Sequence, residues 1–362
     1  MYALLAILSL GFLIIVHEGG HFFVARWCRM RVDRFSIGFG PGILKRKSKS
    51  GTIFQLAPIP FGGFVEIRGM NIAEEVDPDD EFAYPNRPAW QRFLTIFAGP
   101  ATNYLSAILL AFLLYNCHGQ DSSWRWFEIA RVNQGFDAAG KLEVGDRIIA
   151  VDDVPILARG MYITPEGKTI NAGVLRERIN AKQGAAVKIT LLRNGKQLDV
   201  SVTPKLAFVG LPYAAEQTLL MGIVPIESPD VLEVGLLTAV RDSLQYPIDQ
   251  TKMIAGGLYD IITGKEDADP GGPKRIYDEF AKAWKLGIVT GIKLLMLLSV
   301  YLGLFNLFPL PALDGGRLVF LTYELVTRRR ANPKIEAMVH MGGIMVLGVV
   351  MILVTLNDFH VF

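Results

Sequence analysis

The chain has 362 residues, enough for two or three soluble domains, but 51% of them are hydrophobic and they cluster along the sequence. The formal net charge is only +2, and no basic face with interleaved aromatic residues occurs, which excludes a nucleic-acid-binding protein. The two cysteines, Cys28 and Cys117, lie at opposite ends of two apolar stretches and outside any CxxC spacing, which argues against a disulfide and a cysteine metal site.

Four apolar segments approach the roughly 20 residues that a helix needs to cross a bilayer. They fall within 1–30, 93–116, 286–316 and 336–357. We therefore predict a polytopic α-helical membrane protein with about four transmembrane helices. The first segment has no basic leader and no small-residue cleavage site, which favours a retained helix over a signal peptide.

The distribution of Lys and Arg predicts the orientation, because short loops rich in these residues stay in the cytoplasm. Two such clusters follow the first and third spans: Arg26, Arg29, Arg31, Arg34, Lys45, Arg46, Lys47 and Lys49, and then Arg328, Arg329, Arg330 and Lys334. The first helix would then run from outside to inside, and residues 117–286 would lie outside the cytoplasm.

Residues 31–70 alternate apolar and polar residues around glycines, which predicts a β-hairpin. Since it follows an embedded helix directly, we predict that it is membrane-associated on the cytoplasmic side, shielded or lining a water-filled cavity. The acidic, proline-containing segment 71–92 predicts a loop. In the second span, Gly99, Pro100 and Asn103 indicate either close helix packing through small residues or a functional site.

Strand patterns, one amphipathic helix and a hairpin turn at Asn194-Gly195 predict an inserted α+β domain over residues 122–205. For residues 206–285 we predict an amphipathic helical segment that leads to the third span.

The first span contains His17-Glu18-Gly19-Gly20-His21, which matches the pattern HExxH. On a helix, positions four apart share a face, so both imidazoles can bind one Zn²⁺, and Glu18 beside them can act as a general base. Ionisable residues inside an apolar span are costly and usually functional. We therefore predict that His17 and His21 are zinc ligands and that Glu18 is catalytic.

A catalytic zinc ion usually has three protein ligands. The best third candidate is Asp314, which lies just past the third span and therefore at the same membrane depth as His17. The alternative is a turn residue before Gly315-Gly316. His118 and His340 are weaker candidates, because the first falls at the outer face and the second has no partner motif.

Asn306, Pro309 and Pro311 interrupt regular helix pairing next to this site. An amide and freed backbone groups there could hydrogen-bond an extended substrate or a developing oxyanion. The alternative is an ordinary proline kink.

These motifs resemble the site-2 protease family of intramembrane zinc metalloproteases (M50), within it the bacterial regulator-of-sigma-E protease type. The resemblance rests on HEGGH, GFG at 38–40, PFGGFVEIRG at 60–69, AGPATN at 98–103, GPKRI at 272–276 and NLFPLPALDGG at 306–316. The segment KLEVGDRIIAVDDVPI at 141–156 resembles a PDZ domain. One such domain is visible where the best-known members have two, and 157–169 is an insertion-like stretch.

The resemblance implies a bacterial inner-membrane enzyme with a periplasmic PDZ domain, an active site near the cytoplasmic face, and zinc bound by His17, His21 and Asp314. It implies regulated cleavage of single-span membrane proteins, such as anti-sigma factors, after an earlier cut outside the membrane. The PDZ domain could bind a peptide or substrate segment. We further expect a substrate strand to add to the hairpin at 38–68, with Gly38, Phe39, Gly40 and Asn103 as candidate contacts.

Two other interpretations remain at this stage. A membrane scaffold that recruits partners through its PDZ domain would need no zinc. A metal transporter would carry polar residues at several depths of its spans, whereas here they cluster at one depth.

Overall fold

The computed structural model describes residues 1–71, 74–173, 175–209, 216–267 and 271–358. The chain divides into two compact units. The membrane unit consists of Met1–Cys117 and Gly235–Phe362, and the inserted unit consists of His118–Val234.

The first part of the membrane unit holds two long helices with a small sheet between them. Its elements are α1 (Tyr2–Trp27), β1 (Val32–Phe39), β2 (Leu44–Lys47), β3 (Ile53–Leu56), β4 (Ile59–Ile67), a 3₁₀ turn (Tyr84–Asn86) and α2 (Ala89–Cys117).

The inserted unit is mainly β-structure. Its elements are β5 (Gln120–Val132), β6 (Arg147–Val151), β7 (Val154–Pro155), β8 (Met161–Ile163), β9 (Thr169–Asn171), α3 (Leu175–Ala181), β10 (Val187–Arg193), β11 (Lys196–Val202), β12 (Lys205–Val209), β13 (Glu216–Leu220) and β14 (Ile223–Leu232).

The chain then returns to the membrane unit and is helical. The helices are α4 (Leu236–Ile262), α5 (Pro273–Leu286), α6 (Ile288–Leu307), α7 (Asp314–Thr327) and α8 (Pro333–Asp358).

In the described part of the chain, four helices, α1, α2, α6 and α8, are long and apolar enough to cross a membrane, which confirms the predicted number of spans. Even the shortest, α6 with 20 residues, is about 30 Å long, the thickness of the hydrocarbon core. None of the described residues of α8 is buried within the protein. An exposed helix surface as apolar as that of α8 would be unfavourable in water, whereas lipid would solvate it well.

Residues 31–70 form more than the single hairpin that the sequence suggested. They contain a four-stranded mixed sheet in the order β2-β3-β1-β4, in which β1 is parallel to β3 and antiparallel to β4. Because β1 is paired on both sides, β2 and β4 are the edge strands. Strand β4 packs against α1, so one edge strand of the sheet lies beside the helix that carries HExxH.

The main sheet of the inserted unit has the order β11-β10-β6-β5-β14 and is antiparallel. Its core includes Ile129, Ile148, Ile189 and Leu191, all fully buried, with α3 packed against them. The predicted turn is confirmed, since Asn194 and Gly195 have positive φ angles of 51° and 74° between the paired strands β10 and β11.

The prediction of a helical segment beginning at residue 206 is wrong. Strand β14 pairs with β5 along most of its length, so the inserted unit extends to about residue 234, and the helical part begins only at Leu236. The partner of β14 lies about 100 residues earlier in the chain, and local periodicity carries no information about so distant a pairing.

Candidate metal centre

Helix α1 places His17 and His21 one turn apart on its inner face, and both side chains are buried, with relative exposures of 8% and 7%. Their Nε2 atoms are 3.3 Å apart. Such convergence of two ring nitrogens is the arrangement that HExxH predicts.

The third member of the site, Asp314, is the first residue of α7. The loop before it folds back tightly, and the two glycines that follow make this possible. A Cβ on Gly315 would lie 2.5 Å from the carbonyl oxygen of Leu307, and one on Gly316 would lie 2.5 Å from that of Leu310. Only a hydrogen atom fits at these positions, so the two glycines allow the tight loop that places the Asp314 carboxylate against α1.

The Oδ2 atom of Asp314 is 3.2 Å from Nε2 of His17 and 3.2 Å from Nε2 of His21. The three atoms form a nearly equilateral triangle. Ligands of a tetrahedral zinc ion with bonds of about 2.0–2.1 Å are separated by about 3.3 Å, so the triangle has the size of one face of such a site.

The environment of this triangle also suits a cation. Oδ2 of Asp314 is buried, and among the described residues it has no hydrogen-bond partner. Three atoms that present lone pairs to one another repel unless positive charge lies between them. Two imidazoles and one carboxylate form a ligand set typical of catalytic zinc. The residues present therefore fit zinc.

Comparison with known proteins agrees with this geometry. The family model for "Peptidase family M50" matches residues 5–350. The chain belongs to peptidase family M50. It is thus a zinc metalloprotease of the site-2 protease family.

Bacterial relatives match over nearly their whole length, and each bears the name "Putative zinc metalloprotease". A protein of Mesorhizobium japonicum is 31% identical over 95% of each chain, and one of Fusobacterium nucleatum is 31% identical over 99% of this chain and 98% of its own. One of Rickettsia conorii is 28% identical over 97% and 96%. The scaffold and transporter interpretations are therefore set aside.

Within this M50 protease, Glu18 faces strand β4. A Cβ on Gly63 of the same strand would lie 3.4 Å from Cγ of Glu18. The side chain therefore packs against β4, next to His17 of the metal-ligand triangle.

Helix α2 contacts the Nδ1 atoms of both histidines. Nδ1 of His21 is 2.8 Å from the carbonyl oxygen of Thr95, and Nδ1 of His17 is 2.9 Å from the side-chain amide of Asn103. Asn103 is fully buried and its neighbour is a candidate metal ligand, so a role in substrate binding stays a prediction. The sequence did not point to Thr95, because it acts through its backbone carbonyl, a group that every residue type has.

Helices α1 and α2 can approach so closely because of two glycines. A Cβ on Gly20 would lie 2.5 Å from Oγ1 of Thr102, and one on Gly99 would lie 2.5 Å from Cε1 of His21. For Gly99, the small-residue packing considered from the sequence is therefore correct, and its purpose is to make room for a ligand ring.

The remaining predicted residues lie around the site without touching the triangle in the described contacts. Gly38 and Gly40 have positive φ angles of 87° and 105° at the end of β1, and Phe39 stacks on Phe64 of β4. β1 is an interior strand of this sheet, and a role of Gly38, Phe39 and Gly40 in substrate binding stays a prediction.

Asn306 donates a hydrogen bond to the carbonyl oxygen of Leu302 in its own helix. Pro309 and Pro311 lie in the loop between α6 and α7, where Pro311 packs against Gly343 of α8. A role of these three residues in substrate binding stays a prediction.

The two weaker histidine candidates do not join the triangle. His340 on α8 accepts a hydrogen bond from the backbone N–H of Ala312, at 3.3 Å, and so contacts the loop before Asp314. His118 belongs to the inserted unit. Among the described residues, the group that satisfies the spacing of a metal site is His17, His21 and Asp314.

Proposed function

We propose that this protein is an intramembrane endopeptidase that hydrolyses peptide bonds in or near the transmembrane segments of single-span membrane proteins. The observation that carries the proposal is the triangle of two Nε2 atoms and one carboxylate oxygen, built on a helix that is apolar enough to cross the bilayer. His17, His21 and Asp314 would hold the zinc ion. When bound, zinc supplies Lewis acidity to the attacking water and the scissile carbonyl.

Glu18 would carry the proton transfers. It accepts the proton of the attacking water and later donates one to the leaving amine. The Glu18 side chain packs against β4 next to the triangle, which supports this role. The attacking water and the leaving amine must both lie within reach of its carboxylate.

The free edge of β4 would hold the substrate. A peptide bond in a helix is shielded by the hydrogen bonds of the helix, so a transmembrane substrate must unwind before it is cut. An unwound segment that adds to β4 as a further strand regains backbone hydrogen bonds in place of those it lost. The position of Glu18 beside Gly63 of β4 supports this assignment, because it places the base next to the strand that the substrate would join.

The cation clusters support a cytoplasmic position for the sheet and for the C-terminal end of α1. His21 lies six residues before the end of α1, or about 9 Å, so the reaction would occur in the cytoplasmic half of a bacterial inner membrane. The inserted unit would then lie in the periplasm as a PDZ-type domain, where it could bind a peptide or limit the size of entering substrates.

This arrangement suits regulated intramembrane proteolysis, in which an earlier extracytoplasmic cut shortens a protein such as an anti-sigma factor. The test is quantitative proteomics of membranes from cells that carry only Glu18→Gln. Single-span proteins should accumulate relative to wild type, as fragments already cut outside the membrane. Accumulation of soluble proteins alone would contradict the proposed substrate class.

A further inference from the structure

The contact between Asn103 and His17 contains a chemical constraint on the metal site. Nδ1 of His17 lies 2.9 Å from Nδ2 of the Asn103 amide, and both side chains are buried. The inference drawn from this contact rests on the proposed function, in which Nε2 of His17 binds zinc.

A neutral imidazole has one N–H and one lone pair. A ring that binds a cation through Nε2 uses its lone pair there, so its proton is on Nδ1, and Nδ1 becomes a hydrogen-bond donor. The group facing Nδ1 must therefore be an acceptor. His21 satisfies this rule directly, since its Nδ1 faces the carbonyl oxygen of Thr95 at 2.8 Å.

For His17 the rule selects one orientation of the amide. Nδ2 of Asn103 carries two hydrogens and cannot accept, whereas Oδ1 can. Oδ1 is also the atom of this amide that is buried without a hydrogen-bond partner among the described residues. A turn of the amide plane by 180° exchanges the two atoms, which occupy nearly equivalent positions, and places Oδ1 against Nδ1. Oδ1 then has a donor, and Nδ2 takes the position that Oδ1 held.

We propose that Asn103 is a positioning residue that accepts the Nδ1–H of His17 through Oδ1 and so fixes the tautomer and ring orientation of that ligand. Thr95 does the same for His21 through its carbonyl oxygen. The two acceptors are eight residues apart on α2, and the two histidines are four residues apart on α1. One helix thus presents both ligands and the next helix orients both.

The position of Asn103 is itself held firmly. Its backbone carbonyl accepts hydrogen bonds from the hydroxyl groups of Ser106, at 2.9 Å, and of Ser299 on α6, at 3.0 Å. The side chain therefore projects from a point where α2 and α6 are joined, which suits an orienting role. An amide supplies the acceptor without a further negative charge beside Asp314.

The experiment measures zinc affinity by chelator competition, and the absorption spectrum of the Co²⁺-substituted protein, on the purified full chain in detergent. Asn103→Leu removes the acceptor at similar volume, and zinc should bind 10- to 100-fold more weakly, the usual effect of losing such a partner. Asn103→Asp keeps an acceptor and should bind zinc within about threefold of wild type, with an unchanged Co²⁺ spectrum. Leu105→Ala, on the exposed face of α2, is the control and should match wild type.

Equal affinity in Asn103→Leu and wild type would overturn the inference. So would a loss in Asn103→Asp as large as that in Asn103→Leu, because it would show that the amide acts as a donor. If the Leu chain does not fold, the Asp variant decides alone by retaining or losing tight zinc binding. A wild-type protein that binds no zinc would instead refute the proposed metal site, and with it this inference.

Discussion

Replacing Gly99 with Ala should remove His21 from the metal site while leaving the helix intact. The new Cβ would lie 2.5 Å from Cε1 of His21, whereas carbon atoms in contact are about 3.5 Å apart, so the ring must move by about 1 Å. The ring cannot rotate away freely, because it is buried and its Nδ1 is bound to Thr95. Metal–ligand distances tolerate only about 0.2 Å, so the ligand would be lost or misplaced.

A misplacement of about 1 Å typically costs on the order of 100-fold in rate, and we expect at least that loss of cleavage, together with weaker zinc binding. The assay is cleavage of a single-span reporter in detergent, with zinc content measured on the same samples. Gly19→Ala is the matched control, because the nearest atom to its Cβ is in Phe23 at 3.9 Å. Wild-type zinc content and activity in Gly99→Ala would refute the close-packing argument.

Three further predictions concern other parts of the chain. In Gly315→Ala the new Cβ would lie 2.5 Å from the carbonyl oxygen of Leu307, so Asp314 should be displaced and zinc occupancy should fall. Gly348→Ala is the control, because its Cβ would have no atom within 4 Å. Equal zinc occupancy in the two variants would contradict the tight loop. Arg193→Met should destabilise the inserted unit by about 3–5 kcal/mol, because it leaves the buried Asp146 carboxylate without its cation. Limited proteolysis of the full chain measures this loss of stability, and unchanged protection from the protease would contradict the prediction. Hydrogen bonds from Lys141 and from the backbone N–H of Thr203 lower the pKa of Asp137, so its stabilising effect is present above the ordinary carboxyl pKa of about 4 and is lost as the pH falls through the lower folded value. Asp137→Asn should therefore reduce the acid sensitivity of the inserted unit in urea unfolding at pH 2–5, and an unchanged pH profile would count against the interaction.

The elements of the site that were predictable from the sequence are those with a local signature. Two histidines four residues apart in an apolar run, and an Asp-Gly-Gly sequence after another run, identify a metal site by residue type and spacing. The steric reason for the two glycines after Asp314 becomes visible only when the carbonyl groups of Leu307 and Leu310 are seen beside them.

The features that escaped prediction depend on contacts between distant parts of the chain. Strand order in the small sheet, and with it the identity of β4 as the edge, is set by the parallel pairing of β1 with β3, which no alternation pattern encodes. The extent of the inserted unit depends on the pairing of β14 with β5. Asn103 was singled out correctly as unusual, but its role depends on facing His17, 86 residues away in the sequence.

We infer that His17, His21 and Asp314 hold zinc and that Glu18 performs the proton transfers of intramembrane cleavage. The most direct test is purified protein in lipid vesicles with a single-span substrate, comparing wild type with Glu18→Gln for bound zinc and for cleavage. We predict about one zinc per chain in both proteins and cleavage within the membrane segment by the wild type alone. Cleavage by Glu18→Gln at the wild-type rate, or a wild type that cleaves without zinc, would contradict the account.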